Sequence, residues 1–187
     1  MARPALFLDR DGTINVEVDY LSRVEDLELI PGAAAAIAAA NAAGYVVVVY
    51  TNQSGIARGM LTEADLDELH FELDRRLALH GARIDRYEFC PHHPEIGETP
   101  YRQDCDCRKP KPGMLLDAAA ALDLDLSKSW AVGDSLRDLD AARAAGVPHR
   151  VLVETGKGAA QKHGLAEDDH LAIDLAQAID RLLADRF

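Results

Sequence analysis

The sequence predicts an α/β fold, a parallel sheet with helices on both faces. Three observations predict it. Short apolar runs alternate with helix-forming stretches along the chain, the βαβα order that a parallel sheet with crossover helices requires. The 187 residues, 48% hydrophobic and 28% charged, are enough for one domain with a sizeable core. Polar residues follow directly after the apolar runs, and in such sheets ligands bind beyond the carboxyl ends of the strands.

The elements follow in order. Residues 6–9 form a first strand ending in Asp9. Residues 33–43 are strong helix formers and stop before Gly44, so their alanine richness reads as a tightly packed helix. A second strand covers 46–50. Thr62 and Asp65 form a capping box, after which Leu66, Leu69, Leu73 and Leu77 recur at helical spacing until Gly81. A strand at 87–89 leads into an irregular stretch, 90–112, long enough to suggest a function or a metal. A helix at 114–122, a strand at 130–132, a helix at 136–145 ended by Gly146 and a strand at 151–153 come next. An amphipathic helix at 175–184 closes the pattern. There is no internal repeat or linker.

Composition narrows the partners. With 32 acids against 20 Lys and Arg, the net charge of -12 repels a nucleic-acid backbone, and an anionic small substrate would need local cations to hold it. No apolar run approaches the roughly 18 residues of a membrane helix. The N-terminal run is too short for a signal peptide, so a cytoplasmic protein is expected. Three cysteines, two of them in Cys105-x-Cys107, suit a reducing compartment and a metal.

Four strand ends carry the chemistry. "LFLDRDGT" delivers Asp9 and Asp11, "VVVVYTN" delivers Thr51 and Asn52, and "VGDSLRD" delivers Asp134 with Asp138 beyond it; Arg108 and Lys109 precede the helix before that last strand. Two carboxylates about 4 Å apart repel by roughly 4 kcal/mol at an effective dielectric of 20. A hard cation removes that repulsion, so Asp9, Asp11 and Asp134 read as an Mg²⁺ site. Asp9 is then a candidate nucleophile, forming an aspartyl-phosphate, with Asp11 as acid and base. Thr51 and Lys109 would hold the transferring phosphoryl oxygens. Each signal has a plainer reading: Asp-x-Asp-Gly as a turn or part of a calcium loop, Thr51-Asn52 or Asp134 as a helix cap, Lys109 as a solvated lysine, Asp138 as a helix-face carboxylate instead of a residue orienting Lys109 or a metal water. Four such signals in order at strand ends favour the chemistry.

Cys90-x-His92, a twelve-residue spacer and Cys105-x-Cys107 supply a Cys₃His set suited to structural Zn²⁺, with His93 the competing imidazole. With four protein ligands the ion has no open position. Because Cys107 precedes Arg108 and Lys109, fixing this loop fixes the phosphate-binding cation. "TGKG" at 155–158 reads as a turn.

The four motifs resemble those of the haloacid dehalogenase-like phosphatases over nearly the whole chain. The resemblance implies a Rossmann-like core over 1–187 without a large cap domain, an open site, and Mg²⁺ held partly through the Asp11 backbone carbonyl. "TNQSGIARG" and "CPHHP…CDCRKPKPGM" narrow it to the branch of zinc-loop phosphatases that cleave C7 phosphate from heptose bisphosphates, feeding lipopolysaccharide or other glycan synthesis. Histidinol-phosphate phosphatases share the acids and the zinc and are the nearest alternative; a zinc-organised binding module without turnover is the alternative of another class. The resemblance further implies that Glu17, Val18, Asp19 and Tyr20 line a sugar site. Thr51, Asn52, Gln53 and Ser54 would contact substrate, and Arg108 would read the remote phosphate. Ser135 stands where relatives often carry a base, so a substrate contact there would be weakened. A phosphorylated sugar is the expected partner, and a capless site suggests a monomer.

Overall fold

The computed structural model describes residues 2–184; residue 1 and residues 185–187, the ends of the expected 1–187 domain, lie outside the described residues. Six parallel strands form one sheet in the order β3-β2-β1-β4-β5-β6. They are β1 (Ala5–Leu8), β2 (Val46–Asn52), β3 (Arg86–Cys90), β4 (Trp130–Gly133), β5 (His149–Val153) and β6 (His170–Ala172). The order reverses between β1 and β4, and at such a switch point the connections diverge and leave a crevice at the carboxyl ends of the strands.

Alternation along β1 sorts its side chains into two cores. Leu6 and Leu8 face α1 (Ala33–Ala42), α2 (Glu63–Ala78) and α6 (Leu175–Leu183), while Ala5 and Phe7 face α3 (Gly113–Leu122) and α4 (Leu136–Ala145). The alanines of α1 pack closely against α6, as the composition suggested. In α2 the capping box is present: Asp65 N–H donates to Thr62 Oγ1 at 3.1 Å and Thr62 N–H to Asp65 Oδ2 at 2.7 Å. Its four leucines are essentially fully buried, each worth about 1.5–3 kcal/mol. The surface pair Glu72–Arg76 on the same helix adds only about 0.3–0.5 kcal/mol, so burial fixes this helix.

The boundaries match the expected ones to within a few residues. The sequence reading missed two short elements, β6 and α5 (Gly158–Gln161). Neither carries an apolar run. The chain entering β6 is held instead by ion pairs: Asp169 accepts from Arg150 at 2.7 Å and from Arg143 at 2.6 Å. No helix among the described residues is long and apolar enough to cross a membrane.

Register sets the site. Leu8 pairs with Val132 and Asn52 with Cys90, so Asp9, Thr51, Asn52, Cys90 and Asp134 emerge along one edge of the sheet.

Candidate active site

Asp9 and Asp134 leave β1 and β4 side by side, and the first turn of α4 adds Asp138. The three carboxylates are buried and lie close enough to share one ion. Burial, together with Asp138 and Asp134, raises Asp9 to about 7 against the pull of Lys109. Burial likewise raises Asp134 to about 6, although the Lys157 amide donates to its Oδ2 at 2.8 Å. Three buried acids facing a single ammonium are a donor set short of positive charge, and they fit a hard divalent cation. The backbone around them is pared down: a Cβ at Gly12 (φ 79°) or Gly156 (φ 56°) would run into Asp134 Oδ2.

Lys109 is 3% exposed; its Nζ donates to the Tyr50 carbonyl at 2.9 Å and forms ion pairs with Asp9 Oδ1 at 2.9 Å and Asp138 Oδ1 at 2.8 Å. Burial alone would lower its pKa, but Asp138 and Asp9 reverse that and raise it. Its backbone is gripped by Asn52, whose Oδ1 accepts from Lys109 N–H at 3.0 Å while Nδ2 donates to the Lys109 carbonyl at 3.2 Å. Asp138 does more than occupy a helix face. It holds the ammonium with Oδ1 and accepts from Ser135 N–H with Oδ2 at 2.9 Å, capping α4.

Two expectations need correction. The Asp11 carboxylate stands apart from the other three: it accepts from Arg10 at 2.9 Å, Asn15 at 2.9 Å and Gln53 at 3.0 Å. Burial would raise its pKa, but Arg10 and those hydrogen bonds hold it below the ordinary value. The three carboxylates that converge are therefore Asp9, Asp134 and Asp138, and the Asp11 carboxylate lies outside that cluster. Ser135 is the N-cap of α4, 5% exposed, and its hydroxyl donates to Gln161 Oε1 at 3.2 Å. With its hydroxyl taken by Gln161, Ser135 is not among the residues that line the cavity.

Every other expected substrate residue lines one cavity of about 230 Å³, from Glu17 to Tyr20 on one wall through Thr51 to Ser54 and on to Arg108 and Lys109. Three cations there were not singled out in the sequence: Arg58, Arg137 and Lys157. Arg58 and Arg137 sit inside "TNQSGIARG" and "VGDSLRD", but nothing in one sequence says which residues of a loop turn inward. Lys157 belongs to "TGKG", a turn that also reaches the site. Its Nζ donates to Glu17 Oε1 at 3.0 Å, joining the loops after β1 and β5.

The stretch after β3 converges as its spacing suggested. Cys105 Sγ lies 3.5 Å from Cys90 Sγ and 3.3 Å from Cys107 Sγ, and His92 Nδ1 is 3.4 Å from Cys107 Sγ and 3.8 Å from Cys90 Sγ. Thiolates bound about 2.3 Å from a tetrahedral ion stand roughly 3.7 Å apart, so these edges fit a four-coordinate metal. No disulfide forms, and the nearby Cys90 thiol together with burial pushes Cys107 up. A cation would relieve that crowding. His93 is occupied elsewhere, its Nδ1 accepting from Glu95 and Ile96 N–H at 3.1 Å each. The loop reaches the cavity through Arg108, which donates to the His92 carbonyl at 3.0 Å.

Comparison with known proteins agrees with this geometry. A family model described as HAD-hyrolase-like matches residues 106–178. The D-glycero-beta-D-manno-heptose-1,7-bisphosphate 7-phosphatase of Escherichia coli (strain K12) is 46% identical over 181 residues, 95% of this chain and 94% of that protein. The chain belongs to this heptose-bisphosphate phosphatase family. The Rhodopseudomonas palustris enzyme of the same name is 51% identical over 146 residues, 78% of this chain and 81% of that one. The crystal structure of D,D-heptose 1,7-bisphosphate phosphatase from B. bronchiseptica, complexed with magnesium and phosphate, superposes with a TM-score of 0.89 at 40% identity, covering 97% of this chain and 99% of that one. A haloacid dehalogenase-like fold and phosphatase activity are thus features of the family.

Proposed function

We propose that this chain is a Mg²⁺-dependent phosphatase that removes the C7 phosphate of D-glycero-D-manno-heptose 1,7-bisphosphate and leaves heptose 1-phosphate. The observation that carries this reading is the contact between Asp9 and the buried Lys109 in a cavity lined by both carboxylates and arginines. Asp9 and Asp134, with the Asp11 backbone carbonyl, would hold Mg²⁺, which supplies positive charge to the acid cluster and the phosphoryl group. Cys90, His92, Cys105 and Cys107 would hold structural Zn²⁺.

The chain's own groups then divide the work. An Asp9 carboxylate oxygen attacks phosphorus, the bond to the sugar oxygen breaks, and that oxygen takes a proton from Asp11. Water then attacks the aspartyl-phosphate, gives its proton to Asp11 and regenerates Asp9. Lys109 and Thr51 stabilise the phosphoryl oxygens as charge redistributes. The Arg10 contact favours ionised Asp11, the form needed for the second half. Proton delivery in the first half requires its carboxyl to carry a proton and leave the Arg10 fork. Arg108 would hold the retained phosphate, for which a planar guanidinium offers paired contacts.

The reading extends to one domain acting as a monomeric, cytoplasmic enzyme on a small phosphorylated sugar, with neither nucleic acid nor membrane as partner. The acidic balance and the small cavity support it. The test is phosphate release with Mg²⁺ on α- and β-heptose 1,7-bisphosphate, fructose 1,6-bisphosphate and histidinol phosphate. Asp9→Asn serves as the blank and is expected to be inert. A strong preference for one heptose anomer with C1 phosphate retained is the expected result; preference for histidinol phosphate would overturn the substrate.

A further inference from the structure

Arg58 lies in the connection between β2 and α2, and its guanidinium sits over the Tyr20 ring, 5.4 Å from the centroid. Both residues line the cavity. Tyr20 holds φ at 56°, a left-handed backbone that costs an ordinary residue roughly 1–2 kcal/mol.

Arg58 has no ion pair among the described residues, and its Nε is buried without a hydrogen-bond partner. A buried donor left unsatisfied is costly, and an arriving anion would offset that cost.

A second guanidinium stands nearby. Arg108 lines the same cavity, and its Nη1 donates to the His92 carbonyl at 3.0 Å. The two loops that carry them are packed backbone to backbone: a Cβ at Gly97, in the Cys/His loop, would run into the carbonyl of Ala57, the residue before Arg58. One loop therefore positions both cations.

We infer that Arg58 is a specificity-determining residue, the second arm of the subsite that holds the phosphate the enzyme leaves on the sugar. Tyr20 is the flat surface that keeps its guanidinium turned to that anion. The inference rests on the bisphosphate reading above. Two guanidiniums match a phosphate dianion in charge and offer it several paired hydrogen bonds.

The experiment measures kcat and KM on heptose 1,7-bisphosphate and on heptose 7-phosphate, which lacks the second phosphate, together with inhibition by heptose 1-phosphate. Arg58→Ala is expected to lose about 10- to 100-fold in kcat/KM on the bisphosphate, mainly through KM. Turnover of the monophosphate should stay within about twofold, and inhibition by heptose 1-phosphate should weaken in parallel. Arg58→Lys, which keeps the charge and protects the fold, should show the same selective loss in smaller measure. Equal losses on both substrates in Arg58→Lys, or unchanged product inhibition, would overturn the role of Arg58 while leaving the bisphosphate reading intact. A wild-type enzyme that favours the monophosphate would instead overturn the bisphosphate reading, and this inference with it.

Discussion

The ammonium nitrogen of Lys109 stands 2.9 Å from Oδ1 of Asp9, the proposed nucleophile, with both side chains largely buried. The contact keeps a buried carboxylate available as an anion, since burial and two neighbouring acids push it up to about 7. The same ammonium is in reach of the oxygens that gain charge as phosphorus is attacked.

Lys109→Ala should therefore lower kcat by about 100- to 1,000-fold, the range for removing one preorganised charge donor at a reacting centre. KM should move far less, because the charge is needed most in the transition state. Steady-state kinetics with Mg²⁺ in excess separate the two. A variant with raised KM and unchanged kcat would make Lys109 a binding residue only.

Asp138→Asn tests how that ammonium is positioned. Asparagine keeps an acceptor for the Ser135 amide, so the α4 cap should survive. The charge opposite Lys109 at 2.8 Å is lost, however. We expect kcat to fall about 10-fold or more at near-constant KM, with the kcat–pH profile displaced. An unchanged kcat and profile would reduce Asp138 to a helix cap.

The strand-end acids were legible because each terminates an apolar run, and the parallel pattern says that such ends converge. The Cys/His set was legible from spacing, and the structure brings its four members together around one point. Period and spacing put the Asp11 backbone in the turn after β1, but they do not reveal that Arg10, itself buried, folds back to take its carboxylate. Ser135 was misread because a residue just after a strand is also the first to cap the next helix. β6 escaped because three residues held by the Arg150–Asp169 contact leave no apolar signature.

The cysteine loop makes a separate claim. Arg108 is tied to the His92 carbonyl, and Lys109 follows it in the chain. Stripping the metal from the four-residue cluster should release both, so activity should drop at least about tenfold even with Mg²⁺ restored, and return when Zn²⁺ is added back. Metal content by atomic emission, read beside turnover, checks this. Full Mg²⁺-dependent activity in zinc-free protein would disconnect the loop from catalysis.

His70 gives the fold an acid-sensitive element away from the sugar wall. Its ring stacks on Tyr87 at 4.1 Å, its Nε2 lies 3.5 Å from Arg10 Nη1, and it is 6% exposed. Burial, and then the Arg10 charge, lower it from 6.5 to about 3. The unfolded chain therefore takes up a proton below pH 6.5 that the folded chain refuses until about pH 3. The stabilising contribution of neutral His70 is complete above pH 6.5 and is lost as pH falls toward 3. The slope can reach about 1.4 kcal/mol per pH unit, for a total of at most about 5 kcal/mol. His70→Phe keeps the stack and removes the titration, so urea unfolding between pH 7 and pH 4 should show a shallower decline in the variant than in the wild type. Parallel declines would mean that His70 is protonated in the folded protein and that its contact with Arg10 opens in acid.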